Sequence, residues 1–312
     1  MLDRTRPPRI VYIAGYGRSG STLLDMILGQ HPAVVSAGEV TTLSRHVWAQ
    51  REYCSCGKTA PECERWGEIG STWLARPDDA ASLPAYHRLQ ADVEAIVSPV
   101  RLLRRTLFRR AFDRYAARTL SLFDAIRSQS GKDIVIDSSK LPGRALALHA
   151  TGAVDLRVIH LVRDGRGVAA SMLRPYEVDA KAGLQKKLVS KPAFRTAIRW
   201  CLVNLAAEML RRRVGPQRYL QIRYEDFIAD PRAGLAAIGE LTGLDFAPIA
   251  GALMRGDAIH PVHQIAGSRL RMTKSIRLER SDDWRTRLSP RQRAHFDLLG
   301  GWLLRRYGYP KG

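Results

Sequence analysis

Long apolar runs are missing from this chain. The stretch from Ile10 to Ala14 is too short for the core of a secretory signal. A longer one, Ala197 to Leu210, is broken by Arg199, Asn204 and Glu208. No membrane-spanning helix is therefore expected, and the cytoplasm is the expected location. Cysteine is scarce too: four in 312 residues do not make the disulfide framework of a small secreted domain. Internal repeats and low-complexity linkers are absent, so one domain over residues 1–312 is expected, with a helical insertion near residues 65–131. Acid is also in short supply. With 50 basic against 30 acidic residues the formal charge is +20, and most of the basic residues are arginine, whose planar fork grips anionic oxygens in pairs. These arginines run along the whole chain instead of gathering in one patch, which weakens a nucleic-acid reading.

Three of the four cysteines do cluster, as Cys54-Ser-Cys56-Gly and then Cys63-Glu-Arg-Trp. A structural zinc site takes four ligands, and only three thiols are local; His46 is the candidate fourth. Small buried cysteines in a tight loop, or a loop disulfide, are the favoured reading, and no bound metal is expected.

What the sequence does contain is buried strands alternating with helices. Arg9–Ala14, Asp133–Ile136, Leu156–Val162 and Arg218–Ile222 read as short apolar strands. A helix is expected from about Thr22 to Gln30, and another within Val100–Arg127, where Leu103, Leu107, Ala111, Tyr115 and Leu122 recur at helical spacing. The pattern predicts an α/β fold, a parallel sheet sandwiched by helices.

The first strand runs into Gly15-Tyr-Gly-Arg-Ser-Gly-Ser-Thr22 and then a helix, the layout of a phosphate-cradling loop. Gly15 and Gly20 have the spacing of a nucleotide-binding P-loop, but Ser21 stands where that motif places lysine, which argues against an ordinary ATPase or kinase. The run Arg18, Ser19, Gly20, Ser21, Thr22 resembles the 5′-phosphosulfate loop of the sulfotransferase family. Its arginine is nearest in style to the tyrosylprotein, carbohydrate and bacterial members. Leu161-Val-Arg-Asp-Gly-Arg-Gly-Val-Ala-Ala-Ser-Met-Leu173 resembles the family's second motif, which implies that Arg163 and Ser171 hold the donor's 3′-phosphate. Such a pairing is chemically apt, since an arginine fork binds phosphate bidentately. Tyr224 in Arg223-Tyr-Glu-Asp226 is similar to a tyrosine near the donor nucleotide. His263, Ile265, Gly267, Ser268 and Arg271 resemble a donor-covering loop, although Ser268 and Arg269 replace its usual Asn and Pro.

The resemblance implies a P-loop nucleotide-hydrolase-like fold and transfer of a sulfuryl group from 3′-phosphoadenosine 5′-phosphosulfate (PAPS), released as adenosine 3′,5′-bisphosphate. The implied acceptor is a hydroxyl on a small molecule, glycan or lipid; no metal is required, and neither nucleic acid nor stable membrane insertion is involved. In-line transfer needs cations at the departing oxygen, and Arg18 and Lys140 are assigned there, Lys140 lying just past the second expected strand in Asp137-Ser-Ser-Lys140. Glu39 in Gly38-Glu39 is the candidate base for the acceptor hydroxyl, with His31 and His46 as the other candidates. The polar segment Pro175–Pro192 is expected to border the acceptor. Two rival readings stay open: a small-molecule kinase using ATP, in which Asp137 would be the metal-binding acid, and a basic nucleic-acid-binding protein.

Overall fold

Five strands pair side by side in the computed structural model, which describes residues 7–76, 82–95, 105–175, 177–183, 189–278 and 284–311. They are β1 (Arg9–Ala14), β2 (Val34–Ser36), β3 (Ile134–Lys140), β4 (Asp155–Val162) and β5 (Tyr219–Arg223). All pairings are parallel, in the order β2-β3-β1-β4-β5, with Arg9 of the central strand opposite Ile134 on one side and Asp155 on the other. Strand alternation then sends side chains to two cores. Ile10, Tyr12 and Ala14 join one, while Val11 and Ile13 join the other.

Two differences from the expected strands bear on the site. β2 has only three residues, too few to show a period, and was not anticipated. β3 does not stop at Ile136 but continues through Asp137, Ser138 and Ser139, all buried, so that Lys140 is its last residue. Those polar residues stay in the strand because each finds a partner. Arg144 Nε donates to Asp137 Oδ2 at 2.7 Å, and Ser138 Oγ donates to Asp25 Oδ2 at 2.8 Å.

The helices are α1 (Ser21–Leu28), α2 (Glu64–Leu74), α3 (Leu83–Glu94), α4 (Arg105–Ser130), α5 (Pro142–Ala150), α6 (Gly165–Met172), α7 (Ala193–Val214), α8 (Tyr224–Ala229), α9 (Pro231–Thr242), α10 (Ala247–Met254), α11 (Trp284–Arg287) and α12 (Pro290–Arg306). Between β2 and β3 lie α2, α3 and α4. On α4, Tyr115 and Leu122 are buried as their spacing predicts, Ala111 is partly buried and Leu107 is 47% exposed, because the fully buried face of this long helix begins at Tyr115, two turns later; Leu103 lies outside the described residues.

An ion-pair chain ties this layer to the sheet: Arg144 of α5 bonds Asp137 of β3 and, through a second guanidinium nitrogen, Glu94 at the end of α3. Tyr115 of α4 donates to the same Glu94 at 3.0 Å. All four side chains are buried, so one guanidinium is shared between two carboxylates where water cannot reach them. On the far side, α1, α8, α9 and α10 pack over β1, β4 and β5. A third cluster joins α6, α7 and α12 around Trp200 and Phe296. Among the described residues no helix is long and apolar enough to cross a membrane.

Candidate active site

Every strand of the sheet delivers a site residue at its carboxyl end. The phosphate loop follows β1, Glu39 lies three residues past β2, Lys140 ends β3, Arg163 follows β4 and Tyr224 follows β5. Ligand crevices of open parallel sheets form at this edge, where the connections leave in opposite directions. Here the edge opens into a cavity of about 520 Å³ whose wall includes Arg18, Ser21, Thr22, Glu39, Lys140, Arg163, Ser171, Tyr224, Gly267 and Ser268. Arg174 and Arg269 also face it, so cations outnumber the two carboxylates, Glu39 and Glu52.

The loop from Gly15 to Thr22 is bent by three residues at positive φ, Gly15 at 141°, Arg18 at 70° and Gly20 at 92°. A Cβ on Gly20 would fall 2.4 Å from the ring carbons of Tyr224, so only glycine lets this ring lie against the loop. Gly20 is also the N-cap of α1 and has no side chain with which to cap it. The first-turn N–H groups of α1 therefore remain for an anion, with the positive end of the helix behind them. Ser19 Oγ is buried and has no hydrogen-bond partner among the described residues, a further polar atom suited to a phosphate or sulfate oxygen.

The two distant motifs meet at Arg18. Its Nε donates to Ser171 Oγ at 2.9 Å, while Arg163 donates from Nη1 to the Arg18 carbonyl at 3.0 Å. Arg163 also stacks over the Tyr224 ring at 4.8 Å. The adjacent acid does not claim it. Asp164 caps α6 and pairs instead with Arg166, at 3.0 Å to Nε and 2.9 Å to Nη2. Glu225 accepts from the Asp164 N–H at 2.9 Å and holds this turn from the Tyr224 segment. Sequence reasoning missed that role, although Glu225 lies inside a segment it had marked.

Opposite the phosphate loop, Lys140 donates to Glu39 Oε1. Lys140 itself has φ 72°, and its carbonyl accepts from Gly15 N at 3.2 Å, which locks the end of β3 to the start of the loop. Gly38 must be glycine here, because a Cβ would lie 1.9 Å from the Ile265 carbonyl oxygen. Of the two histidine alternatives, His46 lines the cavity, with Nδ1 2.9 Å from Gln50 Oε1. His31 does not. It follows the far end of α1, accepts from Ala33 N and lies tilted against Phe246, ring centroids 5.2 Å apart.

The loop of Gly267 and Ser268 lies over the phosphate loop, the Ser268 N–H reaching Thr22 Oγ1 at 3.2 Å. Arg271 departs from the expected donor contact. Its side chain is fully buried, paired with Glu52 and bonded to the carbonyls of Gly183, Gly267 and Ser268, so it shapes the loop from behind. Asp137, the acid of the kinase alternative, is likewise turned into the core towards Arg144. Of the segment expected near the acceptor, Pro175 and Gly183 line the cavity, while Tyr176 and residues 184–188 lie outside the described residues.

Asp25 was not anticipated. Midway along apolar α1, it accepts from Ser36 on β2, Ser138 on β3 and Gln264 of the covering loop. Burial pushes its carboxyl up to about 6, against the opposing pull of those three bonds. The signal in the sequence was an acid inside Ser21-Thr-Leu-Leu-Asp-Met-Ile-Leu28.

The sulfotransferase family model matches residues 8–248, and the chain belongs to that family. Two solved structures are similar along almost the whole length. The sulfotransferase domain of the olefin synthase from Synechococcus PCC 7002 is 23% identical over 99% of this chain and 98% of that one, with a TM-score of 0.53. The sulfotransferase domain from the curacin biosynthetic pathway is 17% identical over 98% of this chain and 100% of that one, with a TM-score of 0.52. These likenesses show a P-loop-like α/β fold. No curated protein sequence matches significantly.

Proposed function

We propose that this sulfotransferase takes its sulfuryl group from PAPS and passes it to an acceptor hydroxyl on a carbohydrate, lipid, natural product or phenol. The observation that carries the reading is the junction at Arg18, which brings Arg163 and Ser171 of the second motif onto the phosphate loop. Arg163 and Ser171 would hold the 3′-phosphate, with the α1 N-terminus, Ser19, Ser21 and Thr22 around the 5′ end. The donor supplies an activated sulfur whose bridging oxygen leaves with negative charge. Arg18 and Lys140 stabilise that charge as it develops, and their own positive charge meets the need without a metal. Glu39 takes the acceptor proton. It faces the cavity beside Lys140, so proton acceptor and leaving-group donor stand on the same wall. Tyr224, packed on Gly20 and Arg163, borders the nucleotide.

Thermal shift separates this reading from the kinase alternative. Adenosine 3′,5′-bisphosphate without magnesium should raise the melting temperature, and ATP with magnesium should not. The reverse pattern would overturn the donor assignment.

A further inference from the structure

The clustered cysteines find their fourth ligand in the covering loop. Cys54, Cys56 and Cys63 meet His263, not His46, with the four potential ligand atoms all within 4.8 Å of one another. His263 Nδ1 is 3.2 Å from Cys63 Sγ and 3.9 Å from Cys54 Sγ. A tetrahedral zinc ion with the usual Zn–S and Zn–N lengths sets such atoms about 3.5–3.8 Å apart. The observed separations bracket that spacing.

The surroundings fit a metal ligand. The other ring nitrogen of His263, Nε2, lies 3.6 Å from Glu64 Oε1, beyond a hydrogen bond but on the side from which a carboxylate can orient a metal-bound imidazole. His263 is held in the left-handed region, at φ 49°, by Trp66 Nε1 donating to its carbonyl at 2.7 Å. Next to it, Gln264 and Ser55 exchange two bonds, Ser55 N to Gln264 O at 2.9 Å and Gln264 N to Ser55 Oγ at 2.8 Å. Strain of this kind persists where the surroundings fix a side chain in one direction. On the cysteine side, Gly57 at φ 85° closes a turn by donating to the Cys54 carbonyl at 2.9 Å, which returns Cys56 towards Cys54. Cys54 and Cys63 are buried and Cys56 is exposed, leaving one open side for entry.

We propose that Cys54, Cys56, Cys63 and His263 bind one zinc ion through three sulfurs and Nδ1. Such a set is a closed, structural site of the Cys₃His type. Its position gives it a task. From His263 the chain runs directly through Gln264, bonded to Asp25, to Gly267 and Ser268 over Thr22. The ion would clip this loop, some 200 residues from the cysteines, into place above the phosphate loop. The reading replaces the expectation of no metal, which rested on only three thiols being local, with His46 the candidate fourth ligand, and it does not depend on the identity of the donor.

The test uses the untagged full chain, produced with zinc in the medium and purified under reductant without chelator. Elemental analysis should find about one zinc per chain. Cobalt substituted for the zinc should give the intense thiolate charge-transfer and visible bands of a tetrahedral sulfur-rich site. Cys56→Ser is the informative variant, because Cys56 is exposed and its loss leaves the core intact; zinc affinity should fall about tenfold or more. His263→Ala should lower it as well. Metal-free wild-type protein, a Cys54–Cys63 disulfide seen as a mass two hydrogens lighter, or unchanged zinc affinity in both variants would overturn the proposal.

Discussion

Lys140 Nζ lies 2.5 Å from Glu39 Oε1, so the neighbouring strands β3 and β2 deliver opposite charges to one point on the cavity wall. Each residue holds the other in position, and each has a proposed role of its own. Glu39→Gln should therefore cut transfer to an acceptor of high pKa by about 100-fold while leaving affinity for adenosine 3′,5′-bisphosphate near wild type. The defect should shrink for an acidic phenol, which needs less help from a base. Lys140→Met should lower kcat by about 100-fold or more. Because the two side chains touch, the double variant should lose less than the product of the single losses, as steady-state kinetics on all four proteins will show. A wild-type rate for Glu39→Gln with the high-pKa acceptor, where chemistry limits turnover, would move the role of base to His46.

Arg163→Ala and Ser171→Ala should each weaken binding of adenosine 3′,5′-bisphosphate by about 1–3 kcal/mol, read by titration calorimetry. The arginine should matter more, since it also supports the Arg18 carbonyl and the Tyr224 ring. Unchanged affinity in both variants would contradict the assigned phosphate site.

Gly20→Ala tests the packing of the phosphate loop. The left-handed φ costs an alanine about 1–2 kcal/mol, and the Tyr224 ring must also move. Binding of the same nucleotide should fall by about tenfold or more, and an unaltered binding constant would show that the ring does not rest there.

Asp25 predicts a pH dependence of stability. Its folded carboxyl titrates near 6 against an ordinary 3.8, so between those values the folded chain keeps a proton that the unfolded chain gives up. Stability contributed at this site is greatest below pH 3.8 and declines as pH rises through 6, by about 3 kcal/mol in all. Asp25→Asn cannot ionise. Urea unfolding from pH 4 to 7 should show the wild type losing stability relative to this variant, and parallel curves would exclude the raised carboxyl.

How much of this was legible before the fold depended on distance along the chain. Arg163 and Ser171 share one strand-turn-helix unit, and Arg18 through Thr22 another, so each set lies in one local motif whose resemblance to the sulfotransferase family could mark it. Lys140 was marked for the right edge of the sheet, yet its strand was cut short. Asp137, Ser138 and Ser139 read as a polar loop because their partners, Arg144 and Asp25, become neighbours only on folding. The same holds for His263, whose relation to the cysteines no local spacing could reveal. Arg271 failed in the opposite way: its motif was visible, but Glu52, which draws it inward, was not.

The strand order also sets a problem of timing. β1 occupies the centre of the sheet, yet it leaves the ribosome long before Ile134 or Asp155, the residues that will sit on either side of Arg9, have been made. Until then both edges of Arg-Ile-Val-Tyr-Ile-Ala stand open, an apolar β-forming hexapeptide able to add to any other unpaired strand. Closing such distant pairings is slow, which lengthens the exposure. Pro7, Pro8 and Arg9 stand guard at the leading end, where proline cannot extend a ladder and charge resists stacking. Nothing comparable protects the trailing end, whose glycines are committed to the phosphate loop. Holding β1 apart during synthesis therefore falls to the rate of translation and to chaperones, and the yield of folded protein should rise when either slows aggregation.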